Sequence, residues 1–321
     1  MRIRNGIRLL AAVLLAAALA SCGGGDGSGD DGESSAPPTA EAGGFDLSSA
    51  VALLQLCLES YQMLTDFEQG RSLSLPAPYT LQAQFDTDEH FPGEAASGRV
   101  PIAFVATRGS AIYVVFRGTK TISEWVSDAT FGQVDYDDVP DGGRTEAGFT
   151  AIHAGIRTAI IAKVASLAGS GAYTTLYVTG HSLGGALAVL AAPDLAAHTP
   201  LPHPVVYTFA GPRAGNPAFA LRYNRDATTS WRVVNTYDEA PRLPNAVTTV
   251  FGPPPERRPE LLFYDHVDRE YPITFGGPIR SVDDLIHNHS SCNYYATLCA
   301  QTSDPNQCRQ AAEGVNGCKF S

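Results

Sequence analysis

The sequence is poor in positive charge. Lysine and arginine together number 22, against 33 aspartate and glutamate residues, so the formal net charge at pH 7 is −11. Contacts to the phosphates of nucleic acids need clustered lysine and arginine side chains. The composition therefore argues against a nucleic-acid-binding protein and is typical of a soluble, acidic surface.

Zinc-binding cysteine pairs and internal repeats are also absent from the sequence. No two cysteines stand in the Cys-x-x-Cys spacing that is common in zinc sites, and we expect neither a metal ion nor a cofactor. The chain has 321 residues, of which 44% are hydrophobic, enough for one large core. Nothing in the sequence indicates an obligate protein partner.

Cysteines are few and lie mostly near the C-terminal end. Apart from Cys22 there are five, and an odd number leaves at least one thiol without an intramolecular partner. A secreted location would permit disulfides among them. The sequence leaves the pairing open among Cys57, Cys292, Cys299, Cys308 and Cys318.

The apolar run near the N-terminus is too short to cross a bilayer. It covers residues 9–20 and follows three arginines, whereas a membrane-spanning helix needs about 20 apolar residues. A basic start followed by a short apolar run is typical of a secretory signal. We therefore expect residues 1–21 to be a signal peptide.

The end of this run carries a second signal. The segment Leu19-Ala20-Ser21-Cys22 resembles the lipobox of bacterial lipoproteins, in which cleavage precedes the cysteine and lipid is attached to it. The resemblance implies a membrane-anchored lipoprotein of the bacterial cell envelope, facing the periplasm or the exterior. The alternative is an ordinary signal peptide and a secreted protein.

Residues 22–44 contain no large apolar side chain. Gly, Ser, Asp, Glu, Pro and Ala cannot bury enough surface to offset the entropy lost on ordering, so this stretch is predicted to be a flexible tether. A globular domain is expected over residues 45–300, followed by a cysteine-containing tail at 301–321.

The globular part alternates helical and strand patterns. Apolar residues at helical spacing predict helices over 47–65, 151–167 and 186–197. Short apolar runs predict strands at 174–179, 205–209 and 231–237, and two runs joined by Arg108-Gly109-Ser110 predict a hairpin over 101–107 and 111–116. Such alternation indicates an α/β fold with a mostly parallel sheet that is covered by helices on both faces.

A candidate nucleophile stands between one of these strands and the helix that follows it. The segment Gly180-His181-Ser182-Leu183-Gly184 fits the G-x-S-x-G pattern, in which a sharp strand-to-helix turn exposes a serine hydroxyl. Small residues are needed two positions either side of the serine, and the two glycines provide them. His181 occupies the variable position of the pattern.

Four segments in the same order resemble the class 3 lipases, the filamentous-fungal triacylglycerol lipase type of α/β-hydrolase. One is the serine segment, and the resemblance covers roughly residues 47–300. The other three are Val115-Phe116-Arg117-Gly118-Thr119, the segment from Phe209 to Asn216, and the segment from Val234 to Pro244. Four collinear motifs are far more specific than one.

The resemblance assigns roles around Ser182. Thr119 is implied as one donor of the oxyanion hole, and the backbone N–H of Leu183, directly after the nucleophile, is the other. Asp238 is the expected catalytic acid, because it lies in the matched segment and directly follows a predicted strand, where α/β sheets gather their sites. The competing interpretation is that Asp238 caps the Pro-rich turn after it.

The catalytic histidine must follow the acid in the chain order of this fold, which leaves His266, His287 and His289. The charges around His266 predict a solvated loop. The segment from His289 to Tyr294 resembles the family's C-terminal motif, in which an aromatic residue follows the histidine by a few positions. We therefore expect His289, held on a loop before the helical pattern at 293–298, to be the base, with His287 as the alternative.

Residues 121–128 can form a short amphipathic helix with Ile122, Trp125 and Val126 on one side. In the family a lid lies here and opens at lipid–water interfaces. The alternative is a fixed surface helix whose tryptophan stays packed down.

Together these features predict a serine carboxylic-ester hydrolase, a lipase that cleaves acylglycerol esters through a Ser-Asp-His triad. The substrate would be a lipid or another ester. A phospholipase A1 and a short-chain or aromatic-acid esterase are the enzymatic alternatives, since the motifs do not distinguish acyl pockets. A binding lipoprotein that uses a hydrolase fold is the non-enzymatic alternative.

Overall fold

A computed structural model describes residues 44–88, 99–120, 131–227, 229–251 and 258–320. The signal peptide, Cys22, nearly all of the predicted tether, and the lid residues Ile122, Trp125 and Val126 lie outside these ranges.

Seven strands form the central sheet, and two further pairs of strands lie outside it. In the central sheet the spatial order is β1-β2-β3-β6-β7-β8-β11; β1, β2 and β3 pair antiparallel, and β3 to β11 pair parallel. The strands are β1 Thr80–Thr87, β2 Val100–Arg108, β3 Ala111–Phe116, β4 Gln133–Asp135, β5 Arg144–Glu146, β6 Thr175–His181, β7 Val205–Phe209, β8 Thr229–Asn235, β9 Val247–Phe251, β10 Pro259–Phe263 and β11 Arg269–Ile273.

Helices cover both faces of the sheet, as the sequence predicts. Within the described ranges they are α1 Leu47–Glu68, α2 Ala147–Ala168, α3 Leu183–His198, α4 Pro217–Asp226, α5 Val282–His289, α6 Ser291–Cys299 and α7 Pro305–Gln310, with 3-10 turns at Ala240–Arg242 and Val315–Gly317.

Successive side chains of a strand point to opposite faces of the sheet, so alternate residues of the central strands pack into two separate cores. On β3, Ile112, Val114 and Phe116 pack with α2, α3 and α4, whereas Tyr113 and Val115 pack with α1 and α6. The predicted α/β class with a mostly parallel sheet is confirmed.

Helix α2 is, among the described residues, long and apolar enough to cross a membrane by length and composition alone. Its buried residues include Ile152, Ile156, Ile160 and Val164, which recur every four residues and belong to the core beneath the sheet. This is the pattern of a core helix with one buried face.

Two parts of the sequence interpretation are wrong. The region after His266 is not a solvated loop, because Val267 is buried and β11 begins at Arg269 and pairs parallel with β8. His289 is not on a loop, since it is the last residue of α5. In both places the element is partly buried, but its exposed charged and polar side chains make the sequence resemble that of a loop.

The segment 301–320 packs on the domain. Disulfides join Cys292 to Cys318 and Cys299 to Cys308, and Ala312 and Cys318 lie in the same core as α1 and α6. Cys57 is the unpaired thiol among the described cysteines; it is buried, and burial raises its pKa to about 12.

Helix α1 carries a buried carboxyl group on Glu59. The side chain of Glu59 is 5% exposed, and burial, followed by the nearby charge of Asp66, raises its pKa to about 7 from an ordinary value of 4.5. Burial disfavours the charged form of a carboxyl group. Between these two pH values the folded protein therefore retains a proton that the unfolded chain has released.

The stabilising effect of the protonated Glu59 is thus fully present below pH 4.5 and is lost as the pH rises towards 7. The variant Glu59→Gln cannot ionise, so its Tm should exceed that of the wild type at pH 8, and the difference should shrink as the pH approaches 4.5. Thermal unfolding at several pH values measures this. The control Asp137→Asn removes an exposed carboxylate and should show no such trend; a pH-independent difference for Glu59→Gln would contradict the assignment.

Candidate active site

Ser182 stands on a strained turn between β6 and α3. Its backbone has φ 59° and ψ −129°, a conformation that residues other than glycine rarely adopt. The backbone N–H of Ser182 donates to the carbonyl of Phe209 at the end of β7, at 2.9 Å. The turn therefore lies at the carboxyl ends of the central strands, the usual place for a site in α/β sheets.

Glycine is required on both sides of this turn. A Cβ on Gly180 would lie 2.1 Å from the carbonyl oxygen of Gly184, and a Cβ on Gly184 would lie 2.3 Å from that of Phe116. Backbone cannot yield as a flexible side chain does. The sequence-based expectation that small residues must flank the serine is confirmed.

The structure brings Ser182, His289 and Asp238 together in one hydrogen-bonded chain. His289 Nε2 lies 2.8 Å from Ser182 Oγ, and its Nδ1 lies 2.8 and 3.0 Å from the two carboxylate oxygens of Asp238. All three side chains are buried. A serine hydroxyl on imidazole, with the imidazole held by a carboxylate, is the arrangement of a nucleophile and its general base.

The other two candidate histidines are elsewhere. His287 is exposed, with its Nδ1 3.2 Å from Asn293. His266 donates from Nε2 to the carbonyl of Pro241 at 2.7 Å. Its burial, followed by the charges of Arg232 and Arg213, lowers the pKa of His266 to about 3.

Asp238 is held by two groups to which the sequence analysis assigned no contact with it. The Tyr294 hydroxyl donates to its Oδ2 at 2.8 Å, and the backbone N–H of Ala240 donates to its Oδ1 at 3.0 Å. The Tyr294 oxygen accepts in turn from the N–H of Asn235, at 2.8 Å. Burial, and then the charge of Asp238, raise the pKa of Tyr294 well above its usual value, so the phenol remains a donor.

His181, which the sequence pattern leaves variable, also contacts the triad. Its Nε2 lies 3.0 Å from the carbonyl oxygen of His289, which can only accept, so Nε2 carries the proton. Its Nδ1 then accepts from the Tyr61 hydroxyl at 2.9 Å. Burial, followed by the nearby His289, holds the pKa of His181 well below its usual range, and the ring is neutral. Sequence spacing carries no signal for a contact between residues 120 positions apart.

The backbone at Gly118 passes beside the nucleophile. A Cβ there would lie 2.7 Å from the carbonyl oxygen of His181 and 3.0 Å from Ser182 Cβ. The next residue, Thr119, is buried, and its hydroxyl has no hydrogen-bond partner among the described residues. Leu183 is the first residue of α3, where backbone N–H groups have no partner within the helix. The backbone at Gly118 and the first turn of α3 therefore lie beside Ser182.

A second buried polar cluster lies between α2 and α3, away from the triad. The ligating atoms of Asp138, His153 and Asp194 lie within 4.8 Å of one another. However, the Arg157 Nε lies 3.0 Å from an Asp138 oxygen and donates to Asp194 at 2.8 Å. The guanidinium already supplies the positive charge that these carboxylates need, and the cluster is an ion-pair network that joins the two helices.

The hydroxyl of Tyr294 offers a direct test of this geometry. Tyr294→Phe should lower kcat/KM for a soluble ester by roughly tenfold or more, because it removes a hydrogen bond to a charged carboxylate. Tyr295→Phe is a matched control on the same helix, since that hydroxyl donates to the carbonyl of Cys308 instead. Equal losses in the two variants would show that the effect is on folding and not on Asp238.

Comparison with known proteins agrees with this geometry. Residues 113–248 match the family described as Lipase (class 3). The chain is 36% identical over 135 residues to the secreted mono- and diacylglycerol lipase A of Penicillium cyclopium, covering 42% of this chain and 43% of that protein. It is 29% identical over 231 residues to a phospholipase A1 of Oryza sativa subsp. indica, covering 64% and 51% of the two chains.

The fold extends beyond the matched residues. The crystal structure of a mutant of MDLA from Penicillium cyclopium superposes with a TM-score of 0.54 at 26% identity, covering 73% of this chain and 82% of that one. The present chain spans about half or less of the length of the curated relatives compared above. The family match, together with the shared fold and the placement of the serine turn, assigns residues 113–248 of this chain to the class 3 lipase family of α/β-hydrolases.

Proposed function

We propose that this protein is a carboxylic-ester hydrolase, a lipase that cleaves acylglycerol esters with Ser182 as nucleophile. The observation that carries the proposal is the buried chain from Ser182 Oγ through His289 to Asp238. Membership of a lipase family and the similarity to a mono- and diacylglycerol lipase support the substrate class.

The first half of the reaction forms an acyl-enzyme. Ser182 Oγ attacks the ester carbonyl carbon while His289 Nε2 takes the hydroxyl proton, and Asp238 stabilises the resulting imidazolium. The C–O bond to the alcohol then breaks, and the leaving oxygen takes the proton back from Nε2. In the second half, water attacks the acyl carbon with the same base, and Ser182 is released with the carboxylic acid.

The negative oxygen of each tetrahedral intermediate needs donors that are already in place. We assign this role to Thr119, through its N–H and hydroxyl, and to the N–H of Leu183. The absence of a described partner for the buried Thr119 hydroxyl supports this, because a buried polar group without a partner is costly unless a ligand satisfies it.

A phospholipase A1 is the second candidate, and the similarity to the rice phospholipase A1 favours it. Both reactions use the same triad and differ in how the rest of the ester is bound. We retain Ile122, Trp125 and Val126 as proposed lid residues. In the sequence their segment follows Lys120 directly, and Lys120 follows Thr119.

We also propose that Cys22 carries lipid and that residues 22–44 form a tether to a bacterial envelope membrane. The tether would hold the domain of residues 45–300 together with the C-terminal segment 301–321. The sequence Leu19-Ala20-Ser21-Cys22 supports this, and a secreted protein is the alternative. A single acyl chain binds membranes only marginally, whereas two or more anchor stably.

Nucleophile and base are tested together. Ser182→Ala and His289→Ala should each lower kcat on a soluble ester by roughly 10⁴-fold or more, because each removes a member of one catalytic unit. His287→Ala, two residues away on the same helix, should keep near-normal activity. A fluorophosphonate should label the wild type and not Ser182→Ala. Labelling of both proteins, or near-normal activity of His289→Ala, would refute the assignment.

The same assay separates the candidate substrates. Rates on mono-, di- and triacylglycerols and on phosphatidylcholine, with chains of increasing length, rank the lipase against the phospholipase A1. If the proposed lid opens at an interface, the rate on short-chain esters should rise abruptly once they pass their solubility limit. Smooth saturation through that limit would indicate an esterase without a lid. A wild type that hydrolyses none of these esters and resists fluorophosphonate would favour the binding protein.

Location is tested by fractionation. The full-length protein should sediment with membranes and resist salt washing, because hydrophobic anchoring is not screened by salt. Cys22→Ser should appear in the soluble fraction or as an uncleaved precursor. Identical membrane fractionation of the two proteins would contradict the lipid anchor.

A further inference from the structure

A hairpin outside the central sheet exposes one apolar face. Strands β9 and β10 pair antiparallel, with Phe251 opposite Pro259, Thr249 opposite Leu261, and Val247 opposite Phe263. Directly opposite residues share a face, and the face alternates along each strand. These six side chains, none of them charged, therefore stand on one face of the hairpin, which we call the hairpin face.

The large side chains of the hairpin face are exposed to an unusual degree. Phe251, Leu261, Val247 and Phe263 are exposed by 68%, 59%, 56% and 52%, whereas Leu262 on the opposite face is 3% exposed. Single exposed apolar residues are ordinary, but a contiguous exposed apolar group marks an interaction surface. No described residue covers this face.

The hairpin is attached next to the proposed lid segment. The Tyr264 hydroxyl donates to the carbonyls of Phe131 and Gly132, at 3.2 and 3.1 Å, and the Gln133 side chain donates to the carbonyl of Phe263 at 2.8 Å. Residues 131–133 follow the segment 121–130, whose other end begins two residues after Thr119. The hairpin is therefore hydrogen-bonded to the residues that directly follow the proposed lid segment in the sequence.

The base of the hairpin is tied to the carboxyl-end edge of the sheet as well. Gly215, in the loop that follows β7, bridges both Thr145 and Asp265, and Asp265 comes two residues after β10 ends. The chain reaches β9 from Asp238 through the 3-10 turn Ala240–Arg242. The hairpin therefore extends from the loops after β7 and β8, at the edge of the sheet where Ser182 and Asp238 lie.

The charge of the protein and the lack of charge on the hairpin face favour an uncharged partner. The chain carries a net charge of −11 and is repelled by anionic surfaces, and the hairpin face offers no cation to an anionic group. An uncharged apolar face on an acidic protein fits an uncharged apolar partner. The surface of a neutral lipid aggregate is such a partner, and it is the phase in which an acylglycerol substrate is found.

We propose that the hairpin face is a fixed docking surface, which inserts Phe251, Leu261 and Phe263 into the surface of neutral lipid aggregates and holds the active-site entry against it. The proposal rests on the proposed ester hydrolase function. It differs from lid opening, because the hairpin is folded and exposed without any movement.

Binding without turnover tests the proposal. The parent is the full-length chain with Cys22→Ser, so that no lipid is attached at that residue, and with Ser182→Ala, so that substrate survives. The probe is triolein droplets coated with phosphatidylcholine, and bound protein is measured by flotation. The triple variant Phe251→Ser, Leu261→Ser, Phe263→Ser should bind about 100-fold more weakly, since each large apolar side chain contributes substantially when it leaves water.

A matched control separates docking from general hydrophobicity. Leu221 on α4 is 71% exposed, comparable with Phe251, and Leu221→Ser should leave droplet binding unchanged. Phe251→Ser alone should weaken binding about fivefold. This single variant is at the end of a strand, and it keeps the test valid if the triple variant does not fold.

Hydrolysis distinguishes failure of the docking surface from failure of the enzyme. With Ser182 restored in both proteins, the triple variant should hydrolyse a soluble ester at the rate of the Cys22→Ser protein and lose activity on the droplets. A Cys22→Ser protein with intact Ser182 that cleaves no soluble ester refutes the proposed function, whereas unaltered droplet binding by the triple variant refutes docking. Sedimentation that shows a dimer, dissociated by Phe251→Ser with no effect on droplet binding, would assign the face to a second copy of the chain and overturn the proposal.

Discussion

Close approach of three backbone segments around Ser182 is the constraint on which the site depends. The end of β6, the start of α3 and the segment after β3 meet with no room for a Cβ at Gly180, Gly184 or Gly118. This contact forces the serine into its positive-φ conformation and directs its hydroxyl out of the sheet. The same contact places the backbone of residues 118–119 beside the hydroxyl, so the nucleophile and the proposed oxyanion donors are positioned by one packing arrangement.

The base and the acid are supported from the face of the sheet that α1 and α6 cover. Tyr61 on α1 reaches His289 through His181, and Tyr294 on α6 reaches Asp238 directly. Helices α1 and α6 pack in one core with the C-terminal segment, which the two disulfides hold in place. The buried hydroxyls of Tyr61 and Tyr294 therefore depend on the packing of that core. Side chains that are held by packing maintain a catalytic geometry better than side chains on loops do.

The triad is buried, and the lipid substrate that we propose for it forms a separate phase. The triad side chains are almost entirely shielded from solvent, while a hairpin that extends from loops at the carboxyl ends of the central strands leaves an apolar face uncovered by the described residues. Burial favours the electrostatic part of catalysis, because interactions are stronger where water is excluded. An exposed apolar face beside such a site is consistent with a protein that works at the surface of a lipid phase.

Local sequence determined the parts of this protein that depend on short stretches of chain. Periodicity located the main helices and the buried strands, and glycine spacing located the turn at Ser182. Asp238 was identified from its place after a strand within a segment that resembles the class 3 lipases. The same signals failed for edge and short elements such as β1 and β11, because charged and polar residues on a half-exposed strand mask the period of two.

Which distant groups meet depends on how the elements pack in three dimensions. The contact from Tyr61 to His181, the Tyr294 hydroxyl on Asp238, the two disulfide pairings and the choice among the candidate histidines all join residues that the sequence does not relate by spacing. The motif resemblance favoured His289, but its distance to Ser182 is a result of how α5 and α6 pack. Hydrophobic packing is not directional, so a sequence can show which faces will be buried without showing which side chains they bring together.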